Sequence, residues 1–139
     1  TDFHVGRAEV VAEGRDVTIL CYGALLGECH GACARLREHG LSVGLINLRC
    51  LKPVDSAAML RAARGSALLV TVEDHFQTGG LYSLLAELLL GEGLRARCLP
   101  IALHERWFKP ALLPEVLEYE GYTAAAITDK VLRHWGTTG

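Results

Sequence analysis

The chain has no basic surplus. Fourteen Lys and Arg stand against sixteen Asp and Glu, a formal net charge of −2, so the electrostatic footprint of a nucleic-acid binder is missing. It has no long hydrophobic run either. The most apolar stretch, LYSLLAELLL at residues 81–90, is far too short to cross a bilayer, and no membrane contact is expected. Residues 1–14 are polar and acidic, so no secretory leader is expected. The short signatures of common chemistries are missing too. There is no Gly-x-Ser-x-Gly elbow, no HExxH zinc helix and no Walker loop. There is also no CxxC, no internal repeat and no low-complexity linker.

What is present is globular. Of 139 residues, 50% are hydrophobic and 22% charged, a balance unlike that of disordered chains. A chain of this length buries roughly 68–70% of its unfolded surface, enough for one core without covalent staples. One domain over residues 1–139 is expected, with residues 1–6 and 136–139 flexible. The five cysteines, Cys21, Cys29, Cys33, Cys50 and Cys98, read as free thiols in a reducing cytoplasm. Cys29, His30 and Cys33 lack a second ligand pair at zinc-site spacing, so no metal site is expected.

Strands and helices alternate along the chain. Residues 7–12, 17–22, 42–48 and 67–72 read as strands. VTILCY at 17–22 is almost wholly apolar, as a strand covered on both faces should be. Residues 95–101 read as an edge strand, because Pro100 cannot donate to a ladder. Between them, apolar residues at 25, 26, 29, 32, 33 and 36 have helical spacing, with Gly40 as the stop. Asp55 can cap a helix that Gly65 closes, and residues 80–91 form another helix. A short helix over 113–119 ends at Gly121. Thr123 caps a last one, with Ile127, Val131 and Trp135 on one face. This alternation implies a mostly parallel sheet covered on both faces.

The residues most suggestive of function stand at the carboxyl ends of strands, where ligands gather in open α/β sheets. In VTVEDHFQTGGL, residues 70–81, the apolar run stops at Glu73-Asp74-His75 and reads as a strand leaving into a charged loop. Those three residues can supply an acid–base set or a polar rim at a protein interface. Neighbours on an extended chain point to opposite sides, which weakens the first reading. Gly79-Gly80 before a helix can seat an anion or simply allow close packing. Arg49, just beyond a buried strand, can hold a phosphate or carboxylate bidentately, or form a salt bridge. Trp107 and Phe108 fit either an exposed interface or a core anchor under the sheet edge.

The order of these pieces resembles one family. GRAEVVAEGRDVTILCYG, LSVGLINLRCLKPVD, LLVTVEDHFQTGGLYSLLAELL and YTAAAITDKVL span nearly the whole chain. Together they are similar to the C-terminal domain shared by transketolases, 1-deoxyxylulose-5-phosphate synthases and the β chains of 2-oxoacid dehydrogenase E1 components. VEDH followed by GG is nearest to transketolases, including those split into two chains. The resemblance implies a three-layer α/β/α fold around a five-stranded mixed sheet whose first strand is antiparallel.

It also implies a function: the C-terminal domain or subunit of a thiamine-diphosphate-dependent enzyme moving a two-carbon ketol unit between sugar phosphates. Thiamine diphosphate and Mg2+ would sit between other domains of a homodimer or heterotetramer. This chain has no Gly-Asp-Gly signature and is expected to bind neither alone. Arg49 is carried over as a candidate for the substrate phosphate. Glu73, Asp74, His75, Gly79 and Gly80 are expected on an interface or channel rim, and no catalytic residue is assigned. Tyr82 departs from the family's second-turn glycine, and LHERWFKPALLP is longer and more aromatic than the usual loop. Two other readings stay open: an E1 β-type domain, and a non-catalytic docking module with Arg49 and the Gly79-Gly80 helix start as an anion pocket.

Overall fold

The computed structural model describes residues 2–137. Thr1, Thr138 and Gly139, parts of the two ends expected to be flexible, lie outside the described residues. Five strands form one sheet: β1 Glu9–Ala12, β2 Val17–Cys21, β3 Val43–Asn47, β4 Leu68–Phe76 and β5 Cys98–Leu103. Their order is β1-β3-β2-β4-β5. β1 runs antiparallel to β3, and the remaining neighbours are parallel. The helices are α1 Leu26–Glu38, α2 Ser56–Gly65, α3 Leu81–Gly91, α4 Leu113–Glu120 and α5 Ala124–Gly136.

The period-2 alternation of the strands builds two cores. Val17, Ile19 and Cys21 of β2 and Leu68, Val70 and Val72 of β4 pack under α1 and α5, against Cys29, Leu36, Ile127 and Val131. Leu20 and Leu69 point the other way, to Met59 of α2 and Leu81, Leu85 and Leu89 of α3. The result is the expected three-layer α/β/α fold with its antiparallel first strand. α1 carries the chain from β2 to β3 on one face, and α2 and α3 carry it back across to β4 and β5 on the other, as right-handed crossovers require. The connections leave β2 and β4 in opposite directions. Their carboxyl ends therefore flank the switch-point crevice where α/β sheets bind ligands.

Several helix ends follow local chemistry. Asp55 Oδ1 accepts the Ala58 N–H at 2.9 Å, and its Oδ2 accepts that of Ala8 at 2.9 Å, which ties the opening segment to α2. Thr123 accepts the Ala126 N–H at 3.2 Å, and Gly121 ends α4 at φ 75. Two boundaries differ from the sequence reading. α1 starts after a 3-10 turn, Gly23–Leu25, that Gly23 opens at φ 66. β5 begins at Cys98 and runs on to Leu103.

All five cysteines are free. Cys21, Cys29 and Cys33 are buried, while Cys50 and Cys98 are half-buried. Burial pushes the Cys33 thiol up to about 11. A hydrogen bond with Cys21, and then burial, raise that of Cys29. Reaction needs access as well as a thiolate, so alkylation of the native protein should mark the half-buried Cys50 and Cys98 first, with Cys98 slowed by the burial that raises its thiol. Cys21, Cys29 and Cys33 should react only as the chain unfolds. Mass spectrometry of timed iodoacetamide labelling reads this directly, and fast native labelling of Cys29 would contradict it.

Candidate functional site

β4 does not stop at Val72. It continues through Glu73, Asp74 and His75 to Phe76. The ladder to β5 shifts register after Val72↔Ile101 and resumes at Phe76↔Leu103. The expected charged loop is therefore the end of a strand, and its side chains alternate. Glu73 shares a parity with Leu69, on the α3 side. Asp74 shares one with Val70 and Val72, on the α1 and α5 side.

Glu73 is not on the rim, because it is fully buried. Its Oε1 accepts the Leu81 N–H at 2.7 Å and its Oε2 the Tyr82 N–H at 3.0 Å. These are the first N–H groups of α3, which a helix leaves without internal partners. The carboxylate also meets the positive end of the helix dipole. The anion at the Gly79-Gly80 helix start is thus supplied by the chain itself, which removes that helix start from the anion pocket of the docking-module reading. Burial raises the Glu73 carboxyl above its usual range and outweighs the two N–H bonds.

The glycines make this clamp possible. Gly79 turns the chain at φ 84, and its N–H donates to Ser83 Oγ at 2.8 Å. Gly80 is buried against the carboxylate. Beside it, the Tyr22 phenol is pushed up to about 12 by burial and then by the Glu73 and Asp74 charges.

Asp74 and His75 are exposed. Nδ1 of His75 lies 2.9 Å from the Phe76 carbonyl. The three adjacent polar residues therefore do not converge on one reacting centre. On the other face, Asp74 borders a cavity of about 240 Å³ that Leu25, Phe108, Val116, Leu117 and Tyr122 help to line. Tyr122 is 2% exposed, and its hydroxyl has no hydrogen-bond partner. Burial raises this phenol, and Glu120 and Asp74 add to the effect.

Arg49 follows β3 at the carboxyl edge. Its Nη2 lies 2.8 Å from Glu9 Oε1, its Nε donates to Glu9 Oε2 at 3.3 Å, and its Nη1 donates to the Asp2 carbonyl at 3.4 Å. The guanidinium holds the Glu9 carboxyl below the usual carboxylate range, helped by Asn47. A cavity of about 300 Å³ opens here, with His4, Arg7 and Arg49 on its wall together with Asp2 and Glu9. The site thus combines a pocket of mixed charge around the Arg49–Glu9 pair and a carboxylate-clamped turn at the end of β4. Among the described residues, no group of three or more His, Cys, Asp or Glu stands ready for a metal ion. In the set raised from sequence, Cys29 and Cys33 are buried while His30 is exposed.

Sequence reasoning missed Tyr22, Tyr122 and Glu9. Tyr22 carried a usable signal, since it directly follows the apolar run of β2 and precedes Gly23. Nothing local marked the other two.

Fold and site together define a three-layer α/β domain in which a buried carboxylate clamps a helix start at the sheet's switch point. Residues 6–127 match the family model of the transketolase C-terminal domain, and the chain belongs to that family. A 1-deoxy-D-xylulose-5-phosphate synthase from a Synechococcus strain is 35% identical over 127 residues, 91% of this chain and 20% of its own length. The putative transketolase C-terminal section of Methanocaldococcus jannaschii is 28% identical across 94% of this chain and 40% of its own. A split-gene transketolase solved as an inactive β4 tetramer superposes with a TM-score of 0.87 at 29% identity, over 96% of this chain and 43% of that one. The chain thus spans well under half the length of these relatives.

Proposed function

We propose that this chain is the C-terminal part of a thiamine-diphosphate-dependent, transketolase-like transferase acting in the cytoplasm on sugar phosphates. The family match carries this reading. Free cysteines throughout are consistent with a reducing compartment. In the complete enzyme, homodimer or heterotetramer, a two-carbon ketol unit passes between sugar phosphates. Thiamine diphosphate with Mg2+ supplies the carbanion chemistry. In this reading both are held by the other parts of the enzyme. The share of this chain is assembly, closure of the substrate channel and a phosphate contact. Arg49, with Arg7 and His4 beside it, is the group we assign to a substrate phosphate, which would compete with Glu9 for the guanidinium. Asp74 and His75 stand on the channel rim, and Glu73, Gly79 and Gly80 fix its shape.

The test is a ketol-transfer assay. This chain alone should be inactive, and adding the cofactor-binding part of the enzyme should yield activity on phosphorylated sugars. Turnover by this chain alone would overturn the proposal. Decarboxylation of a 2-oxo acid by the assembly would favour the E1 β-type reading instead.

A further inference from the structure

Residues 104–121 cross the carboxyl end of the sheet between β5 and α5. Phe108 and Leu117 pack this strap against the core, and Lys130 Nζ donates to the Gly121 carbonyl at 2.8 Å, while further side-chain hydrogen bonds lie within it. Arg106 grips Glu120 with two bonds of 2.7 Å. The Trp107 ring meets Phe76 edge-on at 4.9 Å. Tyr119 donates to the Lys109 carbonyl. No residue of α4 is buried. Trp107 is 79% exposed, Leu112 73% and Leu113 60%. Exposed apolar side chains grouped like Leu112 and Leu113 mark an interaction site. Leu113, Val116 and Leu117 line the 240 Å³ cavity bordered by Asp74 and Tyr122, and the buried Tyr122 hydroxyl there is unsatisfied.

Charge narrows the occupant. Arg106 is committed to Glu120, and Glu115 caps the Leu112 N–H. Glu105, Glu115 and Glu118 of the strap, with Asp74 nearby, thus outnumber its other cation, Lys109, and Lys130, which holds the Gly121 carbonyl. A two-fold contact between copies would set these acids against themselves. The occupant is instead a different, basic surface. Relatives extend far beyond this domain, which covers 43% of the split-gene transketolase chain and 40% of the archaeal section.

We infer that the strap and Asp74 form the docking surface for the cofactor-binding part of the same enzyme. That part presents an apolar segment with one basic side chain, whose cation enters the cavity between Asp74 and the Tyr122 hydroxyl. Both groups can accept from an ammonium or guanidinium. This inference rests on the function proposed above and adds the surface and its chemistry.

Hydrogen exchange on this chain alone and on the active assembled enzyme tests it. The amides of α4 should exchange at least about tenfold more slowly in the assembly, since a covered helix opens less often. Asp74→Lys should weaken assembly by about tenfold or more, as reversing a charge at a docked pair does. Glu38→Lys, at the opposite end of the sheet, should leave assembly unchanged. An active assembly in which α4 exchanges as fast as in the lone chain, or in which Asp74→Lys assembles normally, overturns the inference and leaves the function proposal standing. An assembly without ketol transfer overturns that proposal, and the inference with it.

Discussion

Gly80→Ala should lower the stability of this chain by about 3 kcal/mol, roughly 10 °C in Tm, without changing its fold class. A Cβ at position 80 would lie 2.0 Å from Glu73 Oε1 and 2.7 Å from the Phe76 carbonyl oxygen. The first contact is a side-chain end, but it is fully buried and bound to two N–H groups. The second is backbone and cannot swing away. Relief therefore requires either breaking the clamp or moving the strand end. Glu73→Ala should cost about as much, because it leaves two helix N–H groups without acceptors in a dry site.

Glu73→Gln separates charge from shape. The Glu73 carboxyl is raised from its ordinary 4.5, so the folded state binds its proton more tightly than the unfolded chain does. The stability this contributes is fully present below 4.5 and is lost as pH rises through the higher folded value. Glutamine does not titrate. Wild type should therefore lose stability relative to Glu73→Gln across that window, as read by denaturant unfolding at several pH values. A gap that widens with pH in favour of wild type would mean that the helix N–H groups outweigh burial.

Arg49→Ala should raise the KM of the assembled enzyme for phosphorylated substrates by about 10- to 100-fold, the worth of a charge-assisted contact at ~1.5–3 kcal/mol. kcat should change little, because the contact is uniform between ground and transition states. Stability should hardly move. The Arg49–Glu9 pair is partly exposed, at 19% and 28% of side-chain surface, and solvent screens such pairs so that they contribute little. Arg49→Lys should recover part of the loss, since a point charge cannot reproduce the guanidinium fork. Equal losses for phosphorylated and unphosphorylated substrates would remove Arg49 from the phosphate site.

Much of the fold is legible in the sequence, because the devices that set it are local. VTILCY reads as a doubly covered strand, and β2 packs helices on both faces. Asp55 and Thr123 read as caps, and each accepts the N–H three residues on. Pro100 reads as an edge position, and β5 is the edge. The site is less legible because its partners are distant. Glu73-Asp74-His75 looks like a strand exit because charges rarely continue a buried strand. The helix N–H groups that let Glu73 stay inside arrive eight and nine residues later. The carboxylate that grips Arg49 lies 40 residues upstream. Tyr122 reads only as the residue after a helix stop, yet it walls the cavity beside Asp74.

The central claim is that this domain shapes and closes a site whose cofactor is held elsewhere. Calorimetric titration of thiamine diphosphate with Mg2+ tests it most directly. The chain alone should give no binding heat, while the assembled enzyme should titrate to saturation. Saturable binding to the chain alone would contradict the account.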